Sequence, residues 1–210
     1  MKTSLCIGII TPTFRRSVSI LERCLLSIDQ QTYPHWKHMV IVDDSDLHPH
    51  IAKQTQTRFS RGPQRQFSCL GYHSSNYGND PRQHAIFHLF FQECDFLVFI
   101  DDDNIVFPHY LETFVHAIQS NPSIQFWIVS ILHCGPLPYE TGIPPMVLKG
   151  NPIRVGHIDT LQVCIHRHSL MIHGGWNCHA GYTADGTTFE RLSHLVSVSW
   201  ISDSIQGIHL

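Results

Sequence analysis

No Cys-x-x-Cys pair occurs among the seven cysteines, Cys6, Cys24, Cys69, Cys94, Cys134, Cys164 and Cys178. Their odd count and scattered spacing argue against a disulfide framework, and the histidines and cysteines together do not reproduce the paired spacing of a structural zinc site. Reduced thiols in a cytoplasmic setting are the expectation. Excess basic charge is missing too: 14 Lys and Arg against 17 Asp and Glu leave a formal net charge of -3, so no general field gathers nucleic acid. Long apolar runs are also lacking. The stretch from Ala85 to Ile100 is broken by His88, Gln92, Glu93 and Asp95, so no membrane span is expected and any membrane contact would be peripheral. The apolar start stops at Thr11 and Pro12, too short for the core of a signal peptide. Internal repeats and low-complexity segments are absent. Charged residues are scarce at 15% while hydrophobic ones reach 42%, which excludes disorder and coiled coil. What is plentiful is histidine, 17 residues whose titration would swing the net charge positive in mild acid. A length of 210 residues favours one domain. Such a chain buries about 70% of its extended surface, enough for a core without staples.

Ser4 to Thr11 reads as a strand buried on both faces of a parallel sheet. Ser17 or Ser19 is placed to cap a helix reaching about Gln31, with Ile20, Leu21, Cys24, Leu25 and Ile28 on one side. His38 to Val42 is a second strand, Ile51 to Phe59 a weak helix and Gln66 to Tyr72 a third strand. A loop from Ser74 to Asp80 precedes a helix from Pro81 to about Glu93 with Asp80 as its cap. Phe96 to Ile100 is the strongest strand, and a helix from Pro108 to Ser120 follows it. This β/α alternation predicts a mostly parallel α/β sheet flanked by helices. Further on, strands are expected at Phe126 to Leu132, Leu161 to His166 and Val196 to Ile201, with a Pro- and Gly-rich loop from Gly135 to Pro152 and a helix from Thr187 to Leu195.

In open parallel sheets ligands bind beyond the carboxyl ends of the strands. Three strands end there in polar groups: Thr11, Pro12 and Thr13 with Arg15 and Arg16; Asp43 and Asp44; and Asp101, Asp102 and Asp103. On extended chain, residues two apart project to the same side, so Asp101 and Asp103 can face one cation. Oxygen donors suit Mg²⁺ or Mn²⁺, which complete their shells with water and phosphate oxygens. An anionic ligand with a divalent metal fits this rim. Asp43 and Asp44 are suited to accept hydrogen bonds from a base or ribose, or simply to end a strand. Arg82, just inside a helix, is placed to meet an anion or to be a solvated surface group.

The chain resembles family 2 of the inverting GT-A glycosyltransferases. The resemblance rests on Ile10-Thr11-Pro12-Thr13-Phe14-Arg15-Arg16, Gln30-Gln31-Thr32-Tyr33-Pro34, Val40-Ile41-Val42-Asp43-Asp44-Ser45, Asn76-Tyr77-Gly78 before Pro81-Arg82-Gln83-His84-Ala85-Ile86, and Phe99-Ile100-Asp101-Asp102-Asp103. It implies a single GT-A domain, with residues 1–120 as the nucleotide-sugar-binding half and 121–210 as the acceptor-side half. It further implies metal-dependent transfer of a sugar from a nucleoside diphosphate to a hydroxyl acceptor on a glycan, polysaccharide or lipid-linked molecule. A UDP-sugar is favoured as donor, with GDP and dTDP nucleotides left open. By the resemblance, Thr11, Pro12, Thr13, Arg15, Asp43, Asp44, Arg82, Asp101 and Asp102 belong to the donor site, and Asp101 and Asp103 form the DxD metal pair. His209 is the candidate for a late metal-binding histidine, against a frayed terminus. Asp185 before a helix is the best match to the catalytic base, with Glu190 and Asp159 as alternatives and helix capping as its ordinary role. Trp176 is either an acceptor-stacking residue or core. The rivals are a sugar nucleotidyltransferase, disfavoured because Thr11 to Arg16 has no glycine, a phosphatase, disfavoured by the order of its motifs, and a non-catalytic nucleotide-sugar or glycan-binding domain.

Overall fold

The computed structural model describes residues 4–47, 50–135 and 145–210. The first half alternates as expected. β1 (Ile7–Thr13) leads to α1 (Val18–Asp29), β2 (Trp36–Val42), α2 (Lys53–Arg58), β3 (Arg65–Cys69), α3 (Asn79–Phe87) and β4 (Phe96–Phe99). Then come a two-residue strand β5 (Ile105–Val106), α4 (Tyr110–Ser120), β6 (Phe126–His133), β7 (Met146–Leu148), β8 (Val163–His166), α5 (Arg167–Ile172), α6 (Ala184–Ser193) and β9 (Val198–His209). The sheet runs in the order β3-β2-β1-β4-β8-β6-β9-β5, with β7 paired to β6.

Its first four strands are parallel, and their register decides where chemistry is placed. Thr13 pairs with Val42, Val42 with Cys69, and Ile10 with Phe99. The segments after Thr13, Val42 and Ile100 therefore leave the sheet along one edge. The second half is mixed: β8 is antiparallel to β4 and β6, whereas β9 is parallel to β6. β1 shows why its run is continuously apolar. Ile7 and Ile9 pack on one face with Cys24 and Ile28 of α1 and with the Phe114 side of α4, while Ile10 packs on the other with Ala85 and Ile86 of α3. A strand covered by helices on both sides has no polar face to show.

Several boundaries differ from the sequence reading for local reasons. Pro12 and Thr13 complete β1 rather than ending it. Ser17 occupies the cap position of α1, but its hydroxyl meets Ser19 Oγ at 3.4 Å rather than the helix. α3 starts at Asn79, after Gly78 in the left-handed region at φ 74°, so Asp80 sits in the first turn and is not the cap. That helix stops at Phe87 and the chain tightens into a 3₁₀ turn at Leu89–Phe91. β9 was expected to end at Ile201; it runs on to His209, with register shifts against β6 near Ser130 that absorb the irregular stretch. Within the expected loop from Gly135 to Pro152, residues 146–148 form β7 and residues 136–144 lie outside the described chain. α5, placed directly after β8, had no counterpart in the sequence reading.

Candidate active site

The aligned strand ends open into a cleft of about 530 Å³. Pro12, Thr13, Phe14 and Arg16 form one wall, Asp43 and His73 another, and Asp101, Asp102, Asp103 and Arg82 the floor. Its acidic triplet is tied down from several directions. Asp102 is nearly buried and accepts from Thr13 Oγ1 at 2.6 Å and from Arg16 Nε at 2.8 Å. Burial lifts its carboxyl to about 6, with Thr13 and Arg16 acting against the rise. Arg16 also reaches Asp103 Oδ2 at 3.1 Å. Asp101 accepts from Arg82 Nη2 on one oxygen and from Thr160 Oγ1 at 3.3 Å on the other.

Asp43 is held by both hydrogen-bonding groups of Ser74, the backbone N–H at 2.8 Å and the hydroxyl at 2.9 Å. Beside it Phe14 and His73 stack at 4.1 Å, 14° from parallel, and His73 Nδ1 donates to the Asp43 carbonyl at 2.9 Å. This corner offers a flat aromatic surface next to a carboxylate, complementary to a planar heterocycle carrying an N–H.

A second chamber of about 150 Å³ opens off the cleft and shares Tyr77, Arg82, Asp101, Tyr182 and His209 with it. Its far side holds His133, Asp159 and Asp185. Asp185 lies within the first turn of α6, whose cap position is taken by Thr183. The carboxylate therefore does not cap the helix; it accepts from the N–H of Gly186 at 2.7 Å and lines the chamber. Burial, with the charges of Asp159 and Asp101 adding to it, holds its carboxyl up to about 6 against the opposing pull of Gly186 and Arg82. A raised carboxylate in a cleft has the properties of a proton acceptor at neutral pH.

Gly186 fixes this position through close approach. A Cβ there would stand 2.4 Å from Val155 Cα and 2.7 Å from Val155 N, both backbone atoms that cannot rotate away. Gly186→Ala is expected to cost about 1–3 kcal/mol, which in a chain of this size lowers the melting temperature by roughly 2–4 °C per kcal/mol. Thermal unfolding checks it; a melting temperature equal to that of the parent protein would show that the close packing of α6 on residue 155 is not a constraint.

His209 is not a frayed end. It closes β9 opposite His133 of β6, and its Nδ1 pairs with Asp159 Oδ2 at 3.1 Å. Burial alone would lower its pKa, but Asp159, with Asp101 and Asp103 behind it, raises it to about 9. Asp159 is correspondingly held below the usual carboxylate range despite its burial, and it also caps the 3₁₀ turn Thr160–Gln162. His133, Asp159 and His209 place one potential ligand atom each within 4.8 Å of one another. The two imidazoles, however, stack 4.3 Å apart and 9° from parallel, so their in-plane nitrogen lone pairs run side by side instead of converging on one point. In this arrangement the three residues form an ion pair with a stacked neighbour. The donors better matched to a hard divalent cation are the oxygens of Asp101 and Asp103 on the cleft floor, with His209 on the same wall. Asp103 is pushed up by burial and by the neighbouring Asp101, a crowding of negative charge that a cation would relieve.

Most residues named from the sequence converge here, and five do not. Thr11 is buried, and His38 Nε2 lies 2.9 Å from its hydroxyl, so Pro12 and Thr13 alone represent that segment in the cleft. The guanidinium of Arg15 lies over the Phe14 ring at 4.9 Å, and it is Arg16 that lines the cleft. Asp44 turns away to Ser45 N at 2.6 Å and His50 Nε2 at 2.8 Å. Glu190 sits on the exposed face of α6. Trp176, offered as a stacking residue for an acceptor, is core: it is 3% exposed, packs on Phe99 and Phe189, and donates Nε1 to Asn79 Oδ1 at 2.9 Å. Sequence reasoning missed His73, His133, Tyr77 and Tyr182 as lining residues. Of these Tyr77 stands between Asn76 and Gly78, and Tyr182 stands three residues before Asp185, so both lay beside residues already singled out.

A mostly parallel sheet whose strand ends gather a carboxylate beside aromatic rings, an acidic triplet and a raised carboxylate one chamber away is the architecture of a GT-A-type α/β fold. The family model described as "Glycosyl transferase family 2" matches residues 8–138, and the chain belongs to that family. Among solved structures, S. aureus TarS matches with a TM-score of 0.73 at 16% identity, covering 98% of this chain and 36% of that one. TarS 1-349 in complex with UDP matches with a TM-score of 0.73 at 16% identity, over 97% of this chain and 60% of that one. The complex of TarS 1-349 with UDP-GlcNAc gives 0.71 at 15% identity, over 97% and 58%. The chain thus spans less than two thirds of the length of these structures, and at such identity the likeness carries the fold. No curated protein sequence matches it. Among the described residues, no helix is long and apolar enough to cross a membrane.

Proposed function

We propose that this chain transfers a sugar from a UDP-sugar to a hydroxyl acceptor with inversion at the anomeric carbon, with Asp185 as the base and Mn²⁺ or Mg²⁺ as cofactor. The observation that carries the reading is the placement of the raised Asp185 carboxylate one chamber from the acidic floor of the cleft. The UDP and UDP-GlcNAc complexes of TarS, a protein of the same fold, favour uridine over the other bases. Residues 1–120 then supply the donor cleft, and residues 121–210 contribute Asp185 and much of the second chamber.

Phe14 and His73 offer the base a stacking surface, and Asp43 accepts from its N–H. Arg82, buried and lining both cavities, meets the diphosphate between them. Asp101 and Asp103, with His209 beside them, would hold the divalent ion, which when bound supplies electrostatic stabilisation of the charge gathering on the departing diphosphate. Asp185 takes the proton from the acceptor hydroxyl as that oxygen forms its bond to the anomeric carbon. The bond from that carbon to the phosphate oxygen breaks on the opposite face, and its electron pair leaves with UDP.

Thermal unfolding with UDP, GDP, dTDP or CMP, each with and without Mn²⁺, tests the donor assignment. At about 100 times its dissociation constant a ligand adds roughly 2.7 kcal/mol of stability. The expected result is a rise that needs UDP and Mn²⁺ together. No rise with any pair would overturn the reading.

A further inference from the structure

Tyr77 and Tyr182 remain unexplained by the donor site. They are 67% and 58% exposed, unusual for rings that belong to a cavity wall, and both line the cleft and the inner chamber. They meet edge to face at 5.6 Å and 76°. Their backbones are fixed from below. Tyr77 is held in the left-handed region at φ 53°, and its carbonyl accepts from Arg82 Nη1 at 3.0 Å. The segment that carries Tyr182 is tied to the segment that carries Tyr77 by two side-chain amides: Asn79 Nδ2 donates to the Gly181 carbonyl at 2.8 Å, and Asn76 Nδ2 to the Cys178 carbonyl at 2.9 Å. A non-glycine residue kept at positive φ beside a cavity is strain that the surrounding bonds maintain. Two aromatic surfaces are thus presented to solvent on a pre-ordered support, an arrangement that lowers the ordering cost of binding.

We propose that Tyr77 and Tyr182 form the stacking platform of an acceptor subsite for a hexopyranose ring, so that the hydroxyl activated by Asp185 belongs to a carbohydrate. The inference rests on the transfer reaction proposed above. A pyranose has an apolar C–H face and a polar edge, and it matches an aromatic ring with hydrogen-bonding groups alongside. Asp185 supplies such a group in the chamber that both tyrosines line. Tyr77 and Tyr182 line the inner chamber together with Asp185, so a ring stacked on them has a hydroxyl on the side of that carboxylate, while the donor's diphosphate lies at Arg82 where chamber and cleft meet. A lipid chain finds no aliphatic wall there: the apolar residues lining the outer cleft are Pro12 and Phe14 besides the two tyrosines and Gly78.

Saturation-transfer NMR on the full chain tests this, with methyl β-D-glucopyranoside, methyl β-D-galactopyranoside, methyl N-acetyl-β-D-glucosaminide and octyl β-D-glucopyranoside as probes, each with and without UDP and Mn²⁺. At least one methyl glycoside is expected to receive saturation on the ring protons of one face. Tyr77→Ala and Tyr182→Ala should each weaken its binding roughly tenfold, equivalent to about 1.4 kcal/mol. Tyr77→Phe and Tyr182→Phe, which keep the ring and the fold, should bind within about twofold of the parent, well under that 1.4 kcal/mol. A parent protein that binds UDP but transfers saturation to no glycoside overturns the platform and leaves the donor reading standing. Saturation confined to the octyl chain, or unchanged by removal of both rings, overturns it as well. Failure to bind UDP, with glycoside binding intact, counts against the donor reading instead.

Discussion

Asp185→Asn is expected to lower the rate of sugar transfer by about 10²–10⁴-fold, the contribution of a positioned proton acceptor. The substitution is nearly isosteric, and the amide oxygen can still accept from Gly186 N–H, so the start of α6 is preserved. Asp185 does not line the outer cleft, and the dissociation constant of UDP should therefore change little. In the parent protein the rate should rise with pH through about 6 as Asp185 loses its proton, and this limb should disappear in the variant. Stability moves the other way. A carboxyl whose folded pKa lies above its unfolded one contributes stability that is complete below the unfolded value and lost as pH rises through the folded one. The parent protein is therefore penalised at neutral pH for ionising Asp185, and Asp185→Asn should melt higher than the parent at pH 7. A variant that transfers sugar at the parental rate would remove Asp185 from the chemistry.

Asp103→Asn carries the second large effect. Asp103 lies on the cleft floor with Asp101, and its other partner, Arg16, also reaches Asp102. Arg16 therefore keeps an anchor when Asp103 loses its charge. In the proposed site this removes one hard oxygen donor, which should abolish the stabilisation that requires UDP and Mn²⁺ together. It should also lower the transfer rate by about 10²–10³-fold, the size found when one group stabilising transition-state charge is removed. Titration of Mn²⁺ into the variant with saturating UDP reads this directly; a parental Mn²⁺ response would move the metal away from the acidic triplet.

The rim of the cleft was legible in the sequence because parallel strands announce themselves. Ile7 to Ile10, Met39 to Val42 and Phe96 to Phe99 carry no polar side chain, are buried, and each run passes into polar residues at the same edge. Position along the chain therefore gave position in space for Thr13, Asp43 and Asp101. Which side chain turns inward was not legible. Thr11 and Thr13 share a strand face, yet Thr11 is captured beneath the surface by His38, and Arg15 folds onto Phe14 while Arg16 takes the cleft. Trp176 stood open between acceptor contact and core because its neighbours in sequence, two glycines and an asparagine, suggest a loop; its neighbours in space, Phe99 and Phe189, make it core. Sequence gave no sign of His133 as part of the site. It became one only when β9 paired in parallel with β6 and stacked His209 on it.

The most direct measurement is ¹H NMR of the intact chain turning over a UDP-α-linked sugar with Mn²⁺, read before the product's anomers equilibrate. The expected result is UDP release that depends on the metal, with a first-formed product whose anomeric proton is β, as a single displacement assisted by one base requires. An α product, or UDP release that persists undiminished in Asp185→Asn, would contradict it.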